Sequence, residues 1–148
     1  MKRQERLRQI YPDCMKKLLL FSIILISFTS AAYSQLKLEI EITGIKNNKG
    51  NMMLQLFDST EKLLDQRMMP IADNRCLIVF DDLKPGKYAV RYYHDENLNG
   101  KMDTNLVGKP VEGYGFSNNV IGRFGPPAFE KWLFELSANK KIELKPAY

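Results

Sequence analysis

Apolar and polar residues alternate with a period of two along much of this chain. The alternation is plainest over residues 36–43, where leucine and isoleucine alternate with lysine, glutamate and threonine. This period places the apolar side chains on one face of a β-strand and the polar ones on the other. The pattern predicts a half-buried strand, which we expect to pair as a hairpin with the apolar run at residues 52–57, across a turn cluster at residues 44–50.

Further strand patterns follow. Residues 67–71 predict a short edge strand, because Pro70 cannot donate a hydrogen bond within a central ladder. Residues 75–80 are apolar on both alternating faces and predict a central strand. The Pro85-Gly86 pair then predicts a turn in which Gly86 takes a positive φ angle. The remaining predicted strands are residues 87–94, 128–136 (with Trp132, Phe134 and Leu136 on one face) and a closing strand with Ile142 and Leu144.

Helical periodicity is missing from the sequence. The polar stretch at residues 58–66 contains a Leu63-Leu64 pair and predicts at most a short helical turn. Six or seven short strands with frequent turns are typical of an all-β fold, an antiparallel β-sandwich with one long ordered loop at residues 94–129.

The first 34 residues have the order of a secretory signal peptide. Lys16 and Lys17 precede an apolar run at residues 18–28, and small residues lead to an expected cleavage after Ser34. The apolar run is shorter than the ~20 residues that a membrane-spanning helix needs. Residues 1–14 are a candidate mis-called start extension, because Met15 directly precedes the lysine pair. We expect one exported domain, residues 35–148, in the periplasm or outside the cell, without a membrane span.

Charge and cysteine content narrow the function classes. The chain carries a net charge of +5. Removing the leader's six basic and two acidic residues from the 22 and 17 of the whole chain leaves 16 and 15, a net charge of +1. This balance argues against a nucleic-acid partner. Cys76 is then the sole cysteine, so no intrachain disulfide is expected, and its apolar run predicts a buried thiol.

The strongest chemical motif is an oxygen-rich loop at residues 95–103. Asp95, Asn97, Asn99 and Asp103 stand at loop positions 1, 3, 5 and 9, and Gly100 stands at position 6. Calcium takes six to eight oxygen ligands, and such a spacing directs alternate side chains toward one centre. The loop predicts a calcium site formed by these four side chains and the Lys101 carbonyl.

The motif departs from a helix-flanked calcium loop in two respects. Position 12 is Leu106 in place of the usual bidentate glutamate, and a strand precedes the loop. The missing ligand would have to come from Glu112, Asp81 or Asp82. The alternative is a tight turn at Asn99-Gly100 whose polar side chains bond their own backbone.

Aromatic residues separated by glycines follow, at residues 113–119 and 122–129. They have two interpretations. One is a shallow stacking surface for sugars or a peptide, and the other is a packed plug over the open end of the sandwich.

The motifs taken together resemble the bacterial secreted family called domain of unknown function 2141. The resemblance covers essentially the whole chain after the leader and implies a transthyretin-like or immunoglobulin-like sandwich, with no established activity. It rests on four motifs in this order: Phe80-x-x-Leu83-x-Pro85-Gly86-x-Tyr88-Ala89-Val90, His94-Asp95-x-Asn97-x-Asn99-Gly100-x-x-Asp103, Glu112-Gly113-Tyr114-Gly115-Phe116-Ser117-Asn118-Asn119, and Phe124-Gly125-Pro126-Pro127-x-Phe129.

Two functional hypotheses remain. The first is a calcium-stabilised module that binds or assembles with a protein or polysaccharide at the cell surface. The second is a small extracytoplasmic hydrolase or other enzyme that uses His94, the only histidine, with Ser117 as its nucleophile. We favour the module, since the sequence has no phosphate-cradling glycine loop, His-x-x-x-His pair or CxxC motif.

Overall fold

The computed structural model describes residues 35–122 and 125–148, which contain eight strands and two single-turn 3-10 helices. The 3-10 helices are Ser117–Asn119 and Phe129–Lys131. The strands are β1 Leu36–Ile42, β2 Asn51–Asp58, β3 Leu63–Pro70, β4 Cys76–Leu83, β5 Gly86–Asp95, β6 Tyr114–Phe116, β7 Phe134–Leu136 and β8 Lys140–Leu144.

Two sheets form a β-sandwich, as the sequence predicts, but it has eight strands in place of six or seven, and β6 lies within the predicted loop at residues 94–129. One sheet has the order β4-β1-β8, and the other has the order β3-β2-β5-β6, with β7 also paired to β5. All pairs are antiparallel except β1 with β8. Alternate side chains of both sheets meet in one buried cluster that includes Leu38, Ile40, Leu54, Phe80 and Val90.

The β1 strand confirms the alternation at residues 36–42, but its predicted hairpin with β2 is wrong. β1 is the central strand of the smaller sheet, whereas β2 pairs with β3 and β5 in the larger one. The turn cluster at residues 44–50 therefore carries the chain from one sheet to the other. Two amphipathic strands can bury their apolar faces either in opposite sheets of a sandwich or side by side in a hairpin. The alternation of apolar and polar residues therefore does not predict which strands pair.

The β4 strand lies at a sheet edge, so its predicted central position is wrong. Cys76, Ile78 and Phe80 are buried, but Leu77 on the other face is 51% exposed. The Arg67 guanidinium lies 4.2 Å from the Phe80 ring centroid and donates to the Val79 carbonyl, so it covers part of this edge.

Two local predictions between β2 and β5 also need correction. The stretch at residues 58–66 forms a tight turn and the first half of β3 in place of a helical turn. Asp58 caps that turn, since its Oδ1 accepts hydrogen bonds from the Thr60 and Lys62 N–H groups. Before β5, the positive φ angle occurs at Asp82, at 63°, and not at Gly86. β3 does lie at the sheet edge, as Pro70 predicts.

A second apolar cluster covers the outer face of the larger sheet. Phe57, Ala89, Phe116 and Trp132 are its buried members. The predicted shared face of Trp132, Phe134 and Leu136 is wrong. All three are buried, but Trp132 packs in this second cluster, whereas Phe134 and Leu136 belong to the core between the sheets. Only residues 134–136 form a strand, because the chain makes a 3-10 turn at residues 129–131.

The predicted signal peptide, its cleavage after Ser34 and the start extension at residues 1–14 lie outside the described residues. Within residues 35–122 and 125–148, no helix has the length and apolar character needed to cross a membrane.

Candidate functional site

The oxygen-rich loop lies where β5 ends, beside the start of β2. Asp95 is the last residue of β5 and pairs with Asn51, the first residue of β2. Gly50 approaches the Asp95 backbone so closely that any Cβ would collide with its carbonyl, and its φ angle is +67°. Only glycine suits this position, and the turn before β2 thereby sets where the loop begins.

Asp95 organises the loop from within. Its carboxylate is only 1% exposed and accepts hydrogen bonds from the Asn99 and Gly100 N–H groups, at 3.0 and 2.8 Å. These bonds close the turn that the Asn99-Gly100 pair predicts. A buried carboxylate requires such donors, because an unpaired charge away from water is strongly destabilising.

The two asparagines connect the turn to Asp103. Asn97 Nδ2 and Asn99 Nδ2 each donate to one oxygen of the Asp103 carboxylate, at 2.6 and 2.9 Å. Their own Oδ1 atoms accept from the Asn99 and Lys101 N–H groups, at 3.1 and 2.7 Å. The structure thus brings together the four side chains that the spacing selects, and it also displays the self-bonded turn that was the alternative interpretation.

Glu112 joins this network from outside the motif. The side chain is 5% exposed, and its two oxygens accept from the Glu96 and Asp103 N–H groups, at 2.9 and 3.0 Å. Asp81 and Asp82 lie elsewhere, since the end of β4 adjoins the start of β5, and that ten-residue strand extends about 30 Å to Asp95. Of the three proposed additional ligands, only Glu112 reaches the loop.

Negative charge around the loop affects a neighbouring tyrosine. Burial raises the pKa of the Tyr93 hydroxyl, and the negative charges of Asp95 and Glu112 raise it further. That hydroxyl donates to the Gly100 carbonyl at 2.9 Å and so holds the turn against the sheet. The raised pKa keeps this hydroxyl a neutral donor to a higher pH than that of an ordinary tyrosine.

The donor set is rich in amide and carboxylate oxygen, which suits calcium. Within the part of the chain that the structure describes, no three His, Cys, Asp or Glu side chains form a group that could hold a metal ion. Any calcium bound here would therefore depend on the amide oxygens of Asn97 and Asn99 and on backbone carbonyls such as that of Lys101. The calcium site stays a prediction.

His94 is fully buried and serves the fold in this structure. Its Nε2–H donates to the Lys49 carbonyl at 2.6 Å, and its Nδ1 lies 3.3 Å from the Tyr148 hydroxyl. Glu96 Oε1 lies 3.8 Å from the same Nδ1. The histidine therefore joins the turn before β2, the loop and the C-terminal segment, with no ring nitrogen directed to solvent.

Ser117 is also fully buried, and its hydroxyl fills a gap in a β-ladder. β6 and β7 pair with different parts of the same edge of β5, and Val90 lies between them. The Ser117 hydroxyl accepts from the Val90 N–H at 2.9 Å and donates to the Trp132 carbonyl at 2.6 Å. Sequence reasoning missed this role, because no local pattern shows which backbone groups a β-ladder leaves unpaired. A relay between His94 and Ser117 has no support in this geometry.

The described aromatic residues of these stretches are packed, as in the second of the two interpretations, but this plug covers the outer face of the larger sheet and not the open end of the sandwich. The Phe116 and Trp132 rings lie 4.2 Å apart between centroids, and Phe129 and Phe57 lie 5.4 and 6.5 Å from Trp132. Trp132 Nε1 donates to the Pro127 carbonyl at 3.0 Å, so its polar edge is satisfied. The plug leaves an open cleft at its margin, beside β6.

Comparison with known families agrees with the resemblance. A family model described as an uncharacterized protein conserved in bacteria, domain of unknown function 2141, matches residues 40–144. The match covers most of the chain, and the protein belongs to this family. No curated protein gave a significant match.

Proposed function

Starting from this family membership, we propose that the protein is an exported β-sandwich module that binds calcium weakly at residues 95–103. Its role is binding or structural, with a protein or polysaccharide of the cell surface as partner. One observation supports the calcium proposal most directly: Asp95, Asn97, Asn99 and Asp103 converge in a single hydrogen-bonded network at the end of β5.

The ion would replace contacts that the loop now makes with itself. Asp103 receives both asparagine amide groups, and an amide presents oxygen in place of nitrogen after a half-turn about its last torsion. Glu112 and the Lys101 carbonyl supply further oxygen. Few charged ligands imply low affinity, around ~10⁻⁴–10⁻³ M, as in extracellular calcium modules.

Calorimetry of the exported protein with calcium and with chelator tests the site. Because the folded loop binds the ion and the unfolded chain hardly does, calcium at ~100 times its dissociation constant should add ~2.7 kcal/mol to the free energy of unfolding. A melting temperature that is the same with calcium and with chelator would show that the loop is only a turn, and the site would be withdrawn.

Variants that remove one charge but keep the side-chain shape show where calcium exerts its stabilising effect. Asp103→Asn and Glu112→Gln should each remove most of the stabilisation by calcium, because each neutralises one carboxylate near the ion. Asp81→Asn is the matched control at the opposite end of β5 and should retain the full increment. Loss of the increment in the control as well would mean that calcium acts elsewhere.

Export has its own measurement. Cleavage after Ser34 should produce a mature protein that begins at Gln35. Intact-mass spectrometry of the protein from fractionated cells gives its first residue. A mass that includes the leader would contradict the export proposal and leave the calcium proposal to its own test.

A further inference from the structure

A cleft of about 680 Å³ opens beside β6, between the two halves of the long segment. We propose that this cleft binds a small amphipathic anion, a molecule with an apolar body and one negatively charged group. The volume lies within the ~300–1,000 Å³ typical of small-molecule sites. The inference deepens the proposed binding role, but it does not require calcium.

One wall is an ordered arm at residues 102–110. Thr104 and Pro110 form a β-bridge, and the Asn105 N–H donates to the Lys109 carbonyl at 2.8 Å. The Asn105 side-chain oxygen accepts from the Val107 and Lys109 N–H groups, at 3.1 and 2.9 Å. Because the arm closes on itself through these bonds, its wall of the cleft is largely preformed.

The floor is held from both sides. Tyr114 and Phe116 form it, with their rings edge to face at 6.3 Å. Phe116 is supported underneath by Trp132, and Tyr114 pairs with Ala147 through two backbone hydrogen bonds of 2.9 and 2.8 Å. A preformed apolar floor lowers the entropy that a ligand's body loses on binding.

Exposed apolar side chains gather around the cleft. In the described residues, eleven large apolar side chains are exposed, and seven belong to the long segment or to Tyr148. Four of these seven line the cleft directly: Met102, Val107, Ile121 and Tyr148. Apolar surface that is concentrated in a concave site, and not scattered singly, indicates a ligand that covers it.

The charge of the cleft selects the sign of that ligand. Lys109 is the one charged residue among the described residues that line it. Two hydrogen bonds to Asn105 hold its backbone in the wall of the cleft, and its long, exposed side chain can turn its ammonium group toward a ligand there. The cation of Lys109 beside an apolar cavity complements one anionic group on an apolar body, and a lower local dielectric strengthens that attraction.

A matched pair of fluorescent probes tests both parts of this inference. The first is 8-anilinonaphthalene-1-sulfonate, which carries an aromatic body and one sulfonate, and the second is the uncharged N-phenyl-1-naphthylamine. Both should bind the folded, exported protein in a saturable manner, at one molecule per chain. Near-UV circular dichroism should stay native, which excludes binding to a loosened core. A folded protein that leaves both probes dark would overturn the inference.

Three variants separate the contribution of apolar packing to probe binding from that of the Lys109 charge. Ile121→Asp should weaken both probes by about tenfold or more, because it places a charge where an apolar body packs. Lys109→Glu should weaken the binding of the sulfonate probe by about 5- to 25-fold, because it replaces the attraction of one exposed ion pair by a repulsion of similar size. The binding of the neutral probe should not change. Lys62→Ala, at the β2–β3 turn on the opposite end, should bind both probes as the wild type does.

Two outcomes contradict the site as proposed. Unchanged binding in Ile121→Asp would place the probes outside the cleft. An equal effect of Lys109→Glu on both probes, or none on either, would show that Lys109 does not recognise the negative charge. This result would overturn the proposal. Because the readout is probe fluorescence, it is independent of the calorimetric test for calcium.

Discussion

The sandwich and the long segment between β5 and β7 are ordered by different means. In the sandwich, backbone groups pair with each other between strands, and apolar side chains fill the space between the sheets. In the long segment, polar side chains bond backbone groups directly, as Asp95, Asn105 and Glu112 do, and aromatic rings cover an outer face.

The difference explains where a site can arise. A buried β-ladder uses its polar groups for pairing and leaves none for a ligand. A loop held by carboxylates and amides keeps oxygen atoms close together, with Asp95 and Glu112 buried and Asn97 and Asn99 exposed. The fold therefore supplies a packed core in one region and a cluster of polar oxygen atoms in the other.

The largest expected effect tests the sandwich itself. Phe80→Ala should lower the free energy of unfolding by ~3–5 kcal/mol, because Phe80 is buried between the sheets and the cavity cannot fully collapse. Leu77→Ala, on the exposed face of the same strand, should cost less than about 1 kcal/mol. Denaturant titration measures both. Equal losses would show that the two faces of β4 do not differ as described.

The next effect tests the junction between the two regions. Ser117→Ala should cost about 1–3 kcal/mol, because it leaves the Val90 N–H and the Trp132 carbonyl without their partner. Tyr92→Phe is the control. Its hydroxyl is also buried, but it has no hydrogen-bond partner among the described residues, so its removal should cost almost nothing. A larger loss for Tyr92→Phe than for Ser117→Ala would reverse this assignment.

The smallest expected effect is a pH dependence inside the sandwich. Burial raises the pKa of the Cys76 thiol to about 11, from an ordinary value of 9.0. A raised pKa in the folded state stabilises the protein fully below pH 9, and this contribution is lost as the pH rises toward 11. The loss should reach about 1 kcal/mol by pH 10.

The Cys76→Ala variant provides the comparison. It has a lower stability throughout, because it leaves a small cavity, but its stability should fall less steeply between pH 9 and pH 10. The tyrosines with raised pKa values affect both proteins alike, so the difference in slope isolates the thiol. Parallel slopes in denaturant titrations across this range would contradict a buried, neutral Cys76.

Local pattern was sufficient for most of the strands and of the candidate loop, but it missed β6 and extended the predicted strand at residues 128–136 over a 3-10 turn. Alternation identified β1, and the spacing of Asp95, Asn97, Asn99 and Asp103 identified residues that the fold does bring together. From the sequence, Glu112 was one of three candidates for the missing calcium ligand. Its contact with the Asp103 N–H depends on how the arm at residues 102–110 folds, which no local pattern predicts. The buried roles of His94 and Ser117 depend on distant backbone groups and left no local pattern.

The sequence by itself determined most of the strand segments, the buried face of β1, and which residues carry oxygen at loop spacing, but not β6 or the first half of β3. Those properties are local, since they depend on residues a few positions apart. Only the tertiary structure decided that β1 and β2 belong to different sheets, that β4 lies at an edge, and that the aromatic stretch packs as a plug beside a cleft. Ladder hydrogen bonds are alike for any pair of strands, so the choice of partner is made by how the whole set of apolar faces can be buried together.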